Sequence, residues 1–229
     1  MSKVLIISKT RMQDDRVCVG AIDLDNKRSI RLLNSNGFHE TIHECPYELL
    51  TIWEIKYNKI SKRSAPHLED VAVLHRTNTH ISVKLNELPK FHIYYYNLKL
   101  YSSSLLRTFD EKLSSTDGGS LYINNTKGVT KYSTCFWICD KDLKKNRFST
   151  ERKIKYDYQD DDGRYYHITY VGIENSPDII KKGTLVRLSL AHWWHPENTD
   201  IEDRCYLQLS GFFDLGDLDY GPTIIRTLF

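Results

Sequence analysis

With 229 residues, 40% hydrophobic and 27% charged, the chain has the composition of an ordinary folded protein, long enough for one large domain or two small ones. A formal net charge of +2 excludes attraction to polyanions by bulk charge alone. Fifteen tyrosines, eight phenylalanines and four tryptophans favour β structure, where rings pack well on pleated surfaces.

The chain opens with an apolar strand over 3–9 that runs into a basic turn, Lys9-Thr10-Arg11. A second strand over 16–23 reads Arg16-Val-Cys18-Val-Gly20-Ala-Ile22-Asp23. A turn at Asp25-Asn26 leads to a third strand over 28–33, which contains Arg31. Val17–Ile22 is nearly continuous in apolar character, which fits a strand covered on both faces. Lys9, Arg11, Arg16 and Arg31 are expected at the junctions of this meander, exposed yet held by a rigid sheet. Such an arrangement suits an anion-binding surface better than an enclosed catalytic pocket. Residues 24–49, with Asn34-Ser-Asn36-Gly37 and His39 to His43, leave the plain meander as a loop excursion. Further strands fall over 50–58, 71–75 and 79–85. The segments 46–50 and 103–113 are candidates for short helices, neither with a convincing apolar stripe.

Ser114-Ser-Thr-Asp117-Gly-Gly-Ser120 has linker chemistry and divides the chain into 1–113 and 114–229. Strands are expected beyond it over 120–123, 132–139, 152–158, 164–174, 184–190, 205–213 and 223–228. Arg187 and Gln208 within these runs fit strands with one wet face. Many short strands separated by turns indicate barrels or sandwiches, and a five-stranded Greek-key barrel protects its edges by closing on itself. The halves show no clean sequence repeat.

Charge is distributed unevenly. Seven basic residues stand between Lys141 and Lys155 against Asp142 and Glu151, whereas from His195 onward seven acidic residues meet two arginines. A local positive stripe on a nearly neutral protein is thereby allowed, although a solvated loop explains the same run. The five cysteines lack disulfide spacing and imply a reducing compartment. No segment approaches the ~18 apolar residues of a membrane span, and Val4–Ile7 is too short for a signal peptide. The expected location is cytoplasmic, with no membrane partner.

Aromatic residues beside cations are the main functional candidates. Trp193 and Trp194, flanked by His192 and His195, fall just after a strand, and Tyr132 lies near Lys131. Neighbours on a strand point to opposite faces, so one indole of the pair faces the core; Trp137, between Phe136 and Ile138, reads as core. A zinc site from Cys135, Cys139, His192 and His195 is disfavoured. On a strand, residues four apart are separated by about 13 Å at ~3.3 Å per residue, too far for two thiolates on one zinc unless the chain turns at Ile138–Asp140. Glu54-Ile-Lys56 and Glu151-Arg-Lys153 have the Glu-x-Lys spacing of a metal-dependent nuclease, but such sheets are flanked by helices that this pattern lacks, and a cross-strand ion pair explains the spacing better. The acidic run at Asp160–Asp162 lacks a calcium-loop pattern, and Asp162-Gly163 signals a hairpin. No phosphate-cradling loop, nucleophile elbow or dinucleotide fingerprint is present.

The N-terminal strand–turn–Arg16-Val-Cys18-Val-x pattern resembles the start of the bacterial dual OB-containing domain family. So do four later blocks: Tyr132–Ile138, Tyr166–Gly172, Gly183–Trp194 and Cys205–Phe212. That resemblance implies an all-β chain of two tandem OB-like barrels, nucleic-acid binding, and association with bacterial antiviral defence; it supplies no catalytic residues. The combined expectation is a non-enzymatic module for single-stranded DNA or RNA, without cofactor or metal. Lys9, Arg11, Arg16, Arg31 and Arg187 would neutralise phosphates, with Tyr132, His192, Trp193 and Trp194 beside them. The alternatives are a scaffold for a protein partner from the same operon and, less favoured, a nuclease.

Overall fold

The computed structural model describes residues 1–61, 63–84, 87–88, 98–151, 153–195 and 200–214. The strand expected over 223–228 lies outside them. Among the described residues no helix is long and apolar enough to cross a membrane.

Strands β1 (Ser2–Arg11), β2 (Val17–Asp23), β3 (Arg28–Leu33), β4 (Thr51–Lys59) and β5 (Asp70–Ser82) close into a barrel in the order β1-β2-β3-β5-β4. Neighbours are antiparallel except β3 and β5, which run parallel with Arg31 opposite Asp70. Alternate residues point inward, so Val4, Ile6, Val17, Val19, Ala21, Ile30 and Leu32 fill the interior with Trp53 and Ile55. The strands expected over 71–75 and 79–85 are one element, β5. Residues 46–50 form no helix.

The second unit begins at β6 (Leu100–Tyr101) and passes through 3-10 turns at Leu105–Arg107 and Phe109–Glu111. It continues as β7 (Ser114–Ser115), β8 (Leu121–Ile123), β9 (Thr134–Ile138), β10 (Leu143–Lys145), β11 (Ile154–Gln159) and β12 (Tyr165–Tyr170). The last strands are β13 (Ile179–Ile180), β14 (Leu185–Leu190) and β15 (Cys205–Phe213). Residues 100–113, which precede the expected boundary, belong physically to this unit: β6 pairs with β9, and Leu105, Phe109 and Leu113 enter its core.

Its central order is β10-β11-β12-β15-β14-β9. Since β9 and β10 are one run of chain interrupted only at 139–142, the two ends of this sheet meet there. Counting β9 and β10 as one bent strand reproduces the first barrel pair by pair. β11 stands for β2, β12 for β3, β14 for β4 and β15 for β5, with β12 and β15 again the parallel pair. The architecture is therefore that of two OB-like barrels, and the halves share a topology that their sequences do not display.

A third apolar cluster lies between the barrels. Leu5, Ile7 and Ile22 on the outside of β1 and β2 pack with Phe136, Leu185 and Phe213 on the outside of β9, β14 and β15. Val4–Ile7 is buried throughout because it faces the barrel interior on one side and this seam on the other.

The seam corrects two expected surface contacts. Arg187 is 5% exposed and Arg31 is 8% exposed, so neither is a free phosphate ligand. Arg31 is ion-paired to Asp70, which also binds Arg63 at 2.7 Å. Arg187 donates to Ser210 Oγ at 2.9 Å, and burial pushes its pKa down. The face of β14 that holds Arg187 is covered by the first barrel rather than by water. Apolar burial at about 1.5–3 kcal/mol per large side chain supports the seam, while each buried ion opposes it by several kcal/mol before pairing. With six large side chains against two guanidinium groups, the apolar contribution prevails.

Gly20 is where β2 admits Arg187. A Cβ there would stand 2.5 Å from Arg187 Nη2 and would also collide with Ser8 Oγ. Gly20→Ala is expected to destabilise the chain by about 1–3 kcal/mol through overpacking, read as a lower urea midpoint at unchanged slope.

Candidate nucleic-acid interface

OB barrels hold oligonucleotides on the outer face of their second and third strands, flanked by the loops between strands one and two and between strands four and five. In the first barrel that face is β2–β3, and the seam occupies it around Gly20, Ile22 and Arg31. In the second barrel the equivalent face, β11–β12, points away from the seam. Tyr156, Tyr158, Tyr166, Ile168 and Tyr170 turn into the core. The alternate residues Lys155, Asp157, Gln159, Tyr165, His167 and Thr169 therefore face outward, with Tyr165 56% exposed.

Asp157 accepts from Asn146 Nδ2 at 2.8 Å and lies 2.7 Å from His167 Nδ1. This bonding fixes the imidazole in the middle of the face. At the β11–β12 turn, Asp160 accepts from the Arg164 N–H at 2.8 Å and the Tyr166 hydroxyl at 3.2 Å. Asp161 pairs with Lys141 at 2.6 Å. These carboxylates build a hairpin rather than a calcium loop.

At one end of the face stands the β10–β11 loop. Phe148 is 75% exposed at its tip, with the Arg147 guanidinium 4.6 Å from its ring centroid. Lys144 and Lys153 are exposed nearby, and Lys155 is half-buried. β1 reaches the same end: the Arg11 N–H donates to Val171 O at 2.8 Å and Arg11 Nη2 to Ile173 O at 3.4 Å, just beyond β12.

At the other end stands the β14–β15 loop. Trp194 is 48% exposed and lies 5.8 Å from the Tyr206 ring, which lies 5.8 Å from Tyr122. The Arg204 guanidinium stands 4.3 Å from the Tyr122 ring centroid. Two rings and a cation thus form a platform backed by the buried Tyr122, about 20 Å from the Phe148 loop along the six residues of β11.

Trp193 is half-buried against the second core and donates its indole N–H to Ala65 O at 3.0 Å. Lys9 Nζ is taken up by the Cys45 and Tyr47 carbonyls at 3.3 Å. Tyr132 stacks on Phe109 at 5.8 Å and bonds the Tyr101 hydroxyl at 2.6 Å, away from the β11–β12 face. Arg16 is exposed at the start of β2. Of the residues expected to bind, the face therefore gathers Trp194 and Arg11. It adds Arg147 and Lys155 from the basic run, and Phe148, Tyr165, Tyr206 and Arg204, which sequence reasoning did not single out. The basic run over 141–155 was the available signal, since its Phe148 lies in the loop between the first two strands.

Cys135 and Cys139 are buried in the second core, where burial raises their thiols. Among the described residues no group of three or more His, Cys, Asp or Glu is arranged to hold a metal ion. Glu54 stands opposite Lys3 and Thr77 in the barrel wall, and Glu151 is exposed in the β10–β11 loop.

Within the β14–β15 loop, the exposed His192 lies 4.7 Å from the His67 ring and 6.3 Å from His39. His67 Nε2 is 3.1 Å from Ala191 O. Burial, together with the Arg31 charge, lowers His39 to about 4 and His67 to about 3, and lowers His192 as well.

The family model described as the dual OB-containing domain matches residues 2–212. No curated protein matches. A solved structure described as a murine DNA-binding protein bound with double-stranded DNA is 10% identical, covering 92% of this chain and 95% of its own, with a TM-score of 0.30.

The histidine cluster sets a pH dependence. These rings remain neutral when folded but titrate near 6.5 when unfolded, so the unfolded chain takes up more protons as pH falls. Their contribution is complete above about pH 6.5 and is lost progressively towards the depressed folded values near 4 and 3. Glu69, raised by burial, acts in the opposite sense. Thermal melts from pH 7.5 to 5 are expected to show a shallower fall for His67→Gln than for the unmodified chain, by about 1 kcal/mol or more, ~2–4 °C at this size. Equal slopes would remove the cluster from the account.

Proposed function

We propose that this chain, which belongs to the dual OB-containing domain family, binds a single nucleic-acid strand across the β11–β12 face of its second barrel. The observation that carries this reading is the asymmetry of the two faces. One OB-type surface lies in the seam; the other carries exposed rings and cations at both ends. Stacking on Trp194 and Phe148 suits unpaired bases, because each base offers a flat face once it leaves a duplex. Arg11, Lys144, Arg147, Lys153, Lys155 and Arg204 supply phosphate partners along the same path. His167, held by Asp157, offers Nε2 to a base or sugar between them.

DNA and RNA share the stacking and phosphate chemistry used here. The family resemblance supports the further proposal of a sensing or targeting arm in a bacterial defence system, and co-purification of a neighbouring gene's product tests it.

Fluorescence anisotropy with 5′-hydroxyl oligonucleotides of about 4–16 nucleotides, the span of one OB site, tests the interface. Binding is expected at low salt, with a slope of log K against log salt reaching about −4 if all six cations engage. Trp194→Ala and Phe148→Ala should each lose ~1–3 kcal/mol, about 5- to 150-fold. Absence of binding at micromolar protein in low salt would sink the reading, as would full affinity in both variants.

A further inference from the structure

The second barrel has a cavity of about 400 Å³ at the same end as the Trp194–Tyr206 platform. Leu121 and Tyr166 line it; of their chain neighbours, Tyr165 is exposed, while Tyr122 is buried beneath the Tyr206 ring and the Arg204 guanidinium. Successive strand residues point to opposite faces, so cavity and platform share one lip. The cavity is an open cleft at the barrel mouth, bounded by the 3-10 turns, β7 and the β11–β12 turn.

Its lining is mostly polar. Leu106 and the edges of the buried Leu113, Leu121 and Tyr166 give a small apolar floor, while Arg107, Lys127 and Arg164 stand at the rim against one carboxylate, Glu111. Arg107 and Arg164 are exposed. Arg164 lies 5.8 Å from the Tyr166 ring centroid, and Lys127 Nζ donates to Leu113 O at 2.8 Å. Among the described residues the Arg107 side chain has no ion pair or hydrogen bond. The hydroxyls of Ser114 and Ser115 complete the polar side.

We propose that this cavity binds a nucleoside phosphomonoester, its base over the leucine–tyrosine floor and its phosphate between Arg107 and Arg164. The volume falls within the range of about 300–1,000 Å³ typical of small-molecule sites. Arginine's forked donors match phosphate oxygens, and a phosphomonoester carries close to two negative charges at neutral pH. The group comes either from the terminal phosphate of a strand lying on the adjacent platform or from a free nucleotide. The first source rests on the interface proposed above; the second does not.

Calorimetric titration with adenosine 5′-monophosphate and with adenosine separates phosphate recognition from base stacking. The monophosphate is expected to bind at least 10-fold more tightly, and the Arg107→Ala/Arg164→Ala double variant to lose that preference. Both positions are exposed, so the melting temperature of the double variant should stay unchanged, which keeps loss of binding distinct from unfolding. Oligonucleotides ending in 5′-phosphate, 3′-phosphate or hydroxyl distinguish the sources. At least 5-fold preference for one phosphorylated end assigns the pocket to strand termini; none, with monophosphate binding intact, assigns it to free nucleotides. If no oligonucleotide binds but the monophosphate does, the β11–β12 interface falls and the cavity stands. Equal affinity for monophosphate and adenosine, or a preference that survives in the double variant, overturns the proposal.

Discussion

The apolar seam between the barrels is the constraint on which the other features depend. β1 must be hydrophobic on both faces, because Val4 and Ile6 close the first barrel while Leu5 and Ile7 close the seam. β2 must narrow to glycine at position 20 so that Arg187 can enter. Once Leu5, Ile7 and Ile22 meet Phe136, Leu185 and Phe213, the β2–β3 face is committed to packing. The two barrels dock through non-equivalent surfaces: strands one to three of the first meet strands one, four and five of the second. That mismatch leaves one OB-type face in water instead of two or none.

The seam also explains how buried cations persist in an otherwise apolar contact. Arg31 has Asp70, and Glu69 reaches across to the Ser133 N–H at 2.5 Å and its hydroxyl at 3.0 Å. Among the described residues Arg187 has Ser210 and no carboxylate ion pair of its own, consistent with a guanidinium whose charged form burial disfavours. A mixed seam of this kind fixes register, since sliding one barrel would strand these groups without partners. Apolar contacts alone would tolerate such a shift more readily.

Much of the fold was legible in the chain. Period-two runs located most of the strands, and the doubly apolar Val17–Ile22 marked a strand covered on both sides. The seam was not legible, because an arginine in a strand signals a wet face unless a second domain is known to lie over it. Arg187 was assigned to the surface for that reason, and Arg31 because it stood at a junction of the N-terminal meander. The shared topology was hidden as well, since the second barrel's first strand is broken at 139–142 and reads as two. Without that equivalence the loop bearing Phe148 could not be recognised as the counterpart of the first barrel's Met12–Arg16 turn, and its basic run remained a solvated loop. Adjacent tryptophans were more informative: strand geometry sends neighbours to opposite sides, and Trp193 and Trp194 do part company in this way.

The first barrel, though its own face is closed, still shapes the open one. Trp193 is tied to Ala65 and Ala191 to His67, so two bonds from the β4–β5 loop of the first barrel hold the β14–β15 loop of the second. Trp193 anchored inward leaves Trp194 outward beside Tyr206. At the opposite end β1 continues past the seam to hydrogen-bond at Val171 and Ile173, which delivers Arg11 to the end of β12. Both flanks of the β11–β12 face are thus positioned by the neighbouring barrel. A lone barrel would present the same strands with looser flanking loops, and ordering those loops on binding would oppose affinity by about 0.5–1.5 kcal/mol per immobilised side chain. Tandem packing sacrifices one surface and pre-organises the other.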